Sequence, residues 1–270
     1  MTQPPLSTVT FHREGSVGVI TLNRPEKLNA INDAMKADLH QVLDLAEADT
    51  LVRAILVHGN GRAFSAGFDL TGGTAGTGLA EKRKELEEDF DLIMRFWDSP
   101  KPTVSAIHGF CLGGALELAI ACDLTIASAA CKMGEPEPKF GSGIVAMLLP
   151  WLINPKHAKQ LLLTGEDKLD AQRAYEIGLI NQIADEGKHV EAAMAMAKKV
   201  AALDRTAITY TKQAINRSYD IMGMRQALLS ALETDIIIES TETPESTEFN
   251  TVLAEQGLKA ALKWREEKYN

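Results

Sequence analysis

A strand-like run, KPTVSAI (101–107), passes through His108 and Gly109 into GFCLGGALELAIAC (109–122), where small and apolar residues surround a single carboxylate, Glu117. This segment constrains the fold most, because an apolar helix opened by a glycine pair offers no polar face and must pack against neighbours. On a helix Glu117 lies beside Gly113, Gly114, Ile120 and Ala121, and no basic residue stands three or four positions away to pair with it. An ionised carboxylate is costly there, so its pKa should rise into the range a general acid or base needs. The alternative is a surface helix with Glu117 turned to water. Gly113 and Gly114 fall where a turn becomes helix, and free N–H groups at that point favour negative charge. Close packing of helix on strand explains a glycine pair equally well.

Strand and helix alternate around this segment. TVTFHRE and VGVITLN (8–14 and 17–23) flank a turn at Glu14-Gly15 and predict a hairpin. Met35, Leu39, Val42, Leu43 and Leu45 recur at helical spacing over 32–48, with Asn32 as cap. A short apolar strand at 54–57 ends in a turn at 58–61, completing a β-α-β unit, right-handed by default. The glycine-rich TGGTAGTGLA (71–80) has no apolar period and reads as a mobile loop. A charged helix over 81–97 is stopped by Pro100 and Pro102, and strands at 103–107 and 124–127 flank a small-residue helix over 112–121. From Lys156 the pattern is largely helical, with a break at 178–187 and an amphipathic finish at 258–269. A mixed α/β core before about residue 200 and a helical extension after it follow.

Composition removes several function classes. A net charge of −9 over 270 residues is the wrong sign for nucleic acid as the main partner. Arg24, Lys27 and Arg62 form a local group suited to an acidic ligand, or are solvated surface charge. Three cysteines, Cys111, Cys122 and Cys131, are too few and too close for a disulfide framework and lack metal-like spacing, which predicts a reducing, cytoplasmic setting and no metal. The opening MTQPPLSTVT lacks the basic flank and apolar core of a signal peptide, and the longest apolar run, 144–153, contains Pro150, so no membrane partner is expected.

Two further segments carry chemistry. RAFSAGFDL (62–70) is a second turn after a strand and offers another backbone amide; alone it is only a loop. Two converging amides would form an oxyanion hole, typically worth about 3 to 4 kcal/mol per donor. MGEPEPKFG (133–141) crowds Glu135 and Glu137 into a proline-bracketed turn, with Glu135 expected to face solvent. A surface loop with neither acid functional is the default for such a turn taken alone.

Taken in order, NRPEKLNA (23–30), AFSAGFDL (63–70), KPTVSAIHGFCLGGALELAIACDLTIAS (101–128) and MGEPEPKFG (133–141) resemble the enoyl-CoA hydratase/isomerase, or crotonase, family. LTGEDKLDAQRAYEIGLINQI (163–183) matches as well, so the resemblance covers nearly the whole chain. It implies an α/β crotonase-like spiral of ββα repeats over 1–200 and a C-terminal helical region over 201–270 that mediates trimers or dimers of trimers. By position, Glu117 and Glu137 match the family's two catalytic acids, and Ala66 and Gly114 its oxyanion-hole amides. Lys27, Leu28, Phe64, Gly67, Phe68, Asp69 and Gly113 are expected to line the acyl-CoA site.

The implied reaction is addition of water across the α,β double bond of an enoyl-CoA thioester, with Glu117 deprotonating water and Glu137 delivering a proton to the α carbon. No cofactor is required, because the substrate's own carbonyl takes the transient charge and coenzyme A is part of the substrate. The alternatives are an isomerase or thioester hydrolase of the same family, or a non-catalytic acyl-CoA-binding relative. This chain also departs from the hydratases. SGIVAMLLPW (142–151) replaces a glycine- and proline-rich turn, Phe68 a smaller residue, and Ala261 and Trp264 the Phe and Lys common near the end.

Overall fold

The computed structural model describes residues 5–71 and 78–269. β1 (Val9–Glu14) and β2 (Val17–Leu22) form the expected antiparallel hairpin, with Gly15 at φ +61 in its two-residue turn. α1 (Asp33–Ala48) begins where the Met35 N–H donates to the Asn32 side chain, and buries Met35, Leu39, Val42 and Leu43. β3 (Ala54–Gly59) lies parallel to β2 and completes the β-α-β unit. Residues 72–77 of the glycine-rich stretch lie outside the described residues, and its last two, Leu79 and Ala80, already belong to α2 (Leu79–Asp98).

β4 (Thr103–Ile107) pairs with β3, and β5 (Phe110–Leu112) precedes α3 (Gly114–Ala121). The helix thus starts two residues later than periodicity suggested, because Cys111 and Leu112 are drawn into strand pairing. β6 (Leu124–Ser128) and β7 (Lys132–Gly134) follow, then α4 (Leu149–Leu152), α5 (Pro155–Thr164), β8 (Leu169–Asp170) and α6 (Ala171–Glu176). β9 (Gln182–Ala184) occupies the break in the helical half. The chain ends in α7 (His189–Ala201), α8 (Arg205–Ile221), α9 (Met224–Glu239), α10 (Pro244–Gln256) and α11 (Leu258–Tyr269).

Two sheets result, a six-stranded one in the order β1-β2-β3-β4-β6-β9 and a three-stranded one in the order β5-β7-β8. Strand alternation sends Ile20, Leu22, Ile55 and Val57 into the main core with α1, α2 and α3. Val17, Val19, Ala54 and Leu56 point the other way, against Ala193, Ala197 and Ala201 of α7. Both faces being covered explains why β2 and β3 read as near-continuous apolar runs. Among the described residues no helix is long and apolar enough to cross a membrane.

Of the last helices, α8 packs on α9, α9 on α2, and α10 and α11 on each other and on the turn around Glu137. Ala261 is fully buried, and the Trp264 ring lies 6.3 Å from that of Phe249, so both serve packing of the helix pair. All three cysteines are free and buried.

Candidate active site

The small sheet sets the geometry. The Leu112 N–H donates to Ser65 O (3.3 Å) and the Gly113 N–H to Gly134 O (2.8 Å), which draws the 62–70 and 133–141 segments to the start of α3. Gly113 sits at φ +55, and a Cβ on it would stand 1.9 Å from Glu137 Oε1. A Cβ on Gly114 would stand 2.2 Å from Phe68 Cε2. The glycine pair is therefore demanded by the close approach of a carboxyl group on one side and an aromatic ring on the other.

Glu117 stands one turn into α3 and is 2% exposed, which excludes the surface-helix alternative. The Ala146 N–H donates to its Oε2. Burial first, then the neighbouring Glu137, raise its carboxyl well above the ordinary range. Glu137 opens a 3₁₀ turn, Glu137–Phe140, closed by Gly141 at φ +77. Its Oε2 is buried without a hydrogen-bond partner, and burial pushes its pKa up to about 8. The two acids flank Gly113, one reached along the helix and one across the turn.

Glu135 does not face solvent as expected. It is fully buried, its N–H donating to Glu166 O (2.8 Å), and its carboxyl lies against that of Glu137, the one group with which it can share a proton. Burial, then Glu137 and Glu117, raise its pKa well above normal. A cluster of three acids was missed in the sequence, since only the pairing with residue 166 reveals the direction of Glu135.

The expected amide of Ala66 is already engaged, donating to Leu28 O at 3.0 Å. Leu28 reaches that position through a left-handed conformation, φ +50. One residue after Ala66 the chain passes Gly67 (φ +94), whose Cβ would stand 3.7 Å from Gly114 N. Among the described residues the Phe68 and Gly114 N–H groups have no hydrogen-bond acceptor. The free amide beside Gly114 is thus that of Phe68, and Ala66 gives way to it. No signal short of the Leu28 conformation distinguishes the two amides.

Phe64, expected at the acyl-CoA site, is instead fully buried in the core. Asp69 accepts from Arg24 Nη1 (3.1 Å) and from the Thr71 N–H (3.1 Å), so its carboxylate is tied to its own chain. Lys27 is exposed and makes no ion pair among the described residues. Asn29, fully buried, was also missed: its Nδ2 donates to Asn60 O, Ala63 O and Phe64 O, holding the two loops together.

The family model for enoyl-CoA hydratase/isomerase matches residues 12–256. A short-chain-enoyl-CoA hydratase of Clostridium acetobutylicum is 32% identical over 260 residues, covering 93% of this chain and 96% of that protein. The crystal structure of an enoyl-CoA hydratase/isomerase from Xanthobacter autotrophicus Py2 has a TM-score of 0.96 at 44% identity, over 98% of this chain and all of that one. An enoyl-CoA hydratase from Mycobacterium smegmatis has a TM-score of 0.90 at 28% identity, over 98% of this chain and 94% of that one. The expected crotonase fold is thereby established, and the chain belongs to the enoyl-CoA hydratase/isomerase family.

Proposed function

We propose that the protein adds water across the α,β double bond of an enoyl-CoA thioester. The observation that carries this reading is a pair of acids with raised pKa, Glu117 and Glu137, flanking a turn with two unpartnered amides, Phe68 and Gly114. Glu117, whose ionised form the Ala146 N–H favours, takes a proton from water as the oxygen bonds to the β carbon. The π electrons move onto the thioester oxygen, where the two amides receive the charge. Glu137, protonated through burial, then delivers its proton to the α carbon. Charges this close do not ionise freely together, so any pH profile reports the pair.

Exposed Lys27 faces the phosphates of coenzyme A, and Leu28, Gly67 and Gly113 line the approach. No cofactor enters this scheme. Residues 1–200 form the catalytic core and 201–270 the assembly region. There the exposed apolar side chains Tyr210, Ile215, Ile221, Met222 and Ile237 are the surface on which we place the contacts of a trimer or a dimer of trimers.

Mixing with crotonyl-CoA should remove the enoyl-thioester ultraviolet band and give a product heavier by one water. An unchanged mass with a shifted double bond identifies an isomerase, and free coenzyme A a hydrolase. Tight binding without turnover of any enoyl thioester would return the protein to a binding role.

A further inference from the structure

Helix α9, in the helical extension, grips the segment that orients Glu117. Ser142 Oγ donates to Glu239 Oε1. One residue on, Gly143 lies so close to α9 that a Cβ on it would stand 2.0 Å from Asp235 Oδ1. At the other end of this segment, the Ala146 N–H donates to Glu117 Oε2. Asp235 and Glu239, four residues apart, share a face of α9. One acid of the helical extension, Glu239, therefore bonds one end of residues 142–146 and a second, Asp235, packs against Gly143 beside it, while the other end holds the catalytic carboxyl.

Asp235 is 2% exposed, and neither of its oxygens has a well-formed hydrogen bond among the described residues. It faces Glu239 on its own helix, Lys82 and Asp89 on α2, and the Gly143 N–H, and its charge reaches both Glu117 and Glu137. Lys82 is ion-paired with Glu85 (3.2 Å) and Glu239 (3.6 Å), and Asp89 with Lys36 (2.8 Å). The cations nearby are thus committed to other acids. A buried acid left so poorly compensated needs an explanation other than stability.

We propose that Asp235 is a positioning residue of the active site, fixing the 142–146 segment from α9 and, through the Ala146 N–H, the Glu117 carboxyl. The proposal rests on the two-glutamate reading. Burial sets the Asp235 pKa at about 7, so Asp235 is largely ionised above neutrality, where its charge makes loss of a proton from the glutamate pair harder. The reach of α9 makes the helical extension part of the catalytic apparatus as well as of the assembly.

The test follows the side-chain carboxyl ¹³C resonances of glutamate-labelled protein through a pH titration, beside the pH profile of kcat/KM, in wild type, Asp235→Asn and Glu239→Gln. Asp235→Asn should lower the apparent pKa values of the pair by about one unit and move the acid limb of the profile with them. Glu239→Gln should lower kcat about tenfold with KM little changed. Titration curves and profile unmoved in Asp235→Asn, or a loss of stability alone, overturn the proposal. Should Asp235→Asn fail to fold, Gly143→Ala drives a Cβ into Asp235 Oδ1 and disturbs the same contact from the segment's side, and an unchanged kcat there overturns it too. The resonance shift needs no turnover: if it appears while wild type hydrates nothing, the hydratase reading falls and the positioning role stands.

Discussion

Glu117 and Glu137 meet at one glycine from two different scaffolds. α3 holds Glu117 on eight consecutive buried residues, and one backbone amide, that of Ala146, steadies its carboxyl. The turn at 133–141 holds Glu137 between two prolines and against the last two helices, with one carboxyl oxygen unpartnered and a second acid, Glu135, buried beside it. The helix fixes its acid by its own geometry; the turn fixes its acids through residues far away in the chain. A base that must hold water at one angle suits the first, and an acid kept protonated by burial suits the second.

The largest effect that tests this contrast is Glu117→Gln, which should lower kcat/KM about 10³-fold or more without loss of thermal stability, since the amide fills the same space and its oxygen can still accept from the Ala146 N–H. A loss under tenfold would end its role as base. Glu137→Gln should lower kcat/KM roughly 10²-fold. A larger loss than that of Glu117→Gln reverses the ranking of the two scaffolds. Gly114→Ala forces a Cβ into the Phe68 ring and should lower kcat about tenfold, with partial recovery when Phe68→Ala is added; without that recovery the ring is not what demands the glycine. Lys27→Ala should raise KM about fivefold at constant kcat, read from steady-state kinetics with free coenzyme A as competitor.

The smallest effect on rate comes from Glu135→Gln, read instead by urea midpoints from about pH 5 to pH 8. Glu135 is raised in the folded protein from an ordinary value of 4.5. The stability it contributes is fully present below that value and is lost as pH climbs toward the folded pKa. The wild-type midpoint should therefore fall across this range, and the variant's should fall less. Equal slopes would mean that Glu135 is ionised in the folded state and that the turn is wetter than its burial implies.

The same contrast explains what was legible in the sequence. The β1-β2 hairpin, the Asn32 cap and the environment of Glu117 follow from neighbours within a few residues, where turn chemistry and helical period are decisive. β5, β7 and β8 are two or three residues long, too short for any periodicity, yet their pairing brings Ser65, Gly113 and Gly134 together. The inward Glu135 depends on Glu166, and the Ala66 amide is lost to a leucine in a left-handed conformation. Phe64 belongs to a motif that reaches the site but points into the core, so matching the motif could not give the side chain's direction.

The sulfur chemistry of the chain follows from where its thiols lie. Burial holds the Cys122 and Cys131 thiols up at about 12 and raises that of Cys111 well above its ordinary value, so the folded protein presents almost no thiolate to oxidants or alkylating agents. Modification must wait for local opening, and its rate measures how often that opening occurs. Cys111 lies on β5, two residues before Gly113 and in isolated pairing with Ser65. Its alkylation therefore clocks the transient separation of the two loops that carry the amide donors, a motion that leaves no trace in the average structure.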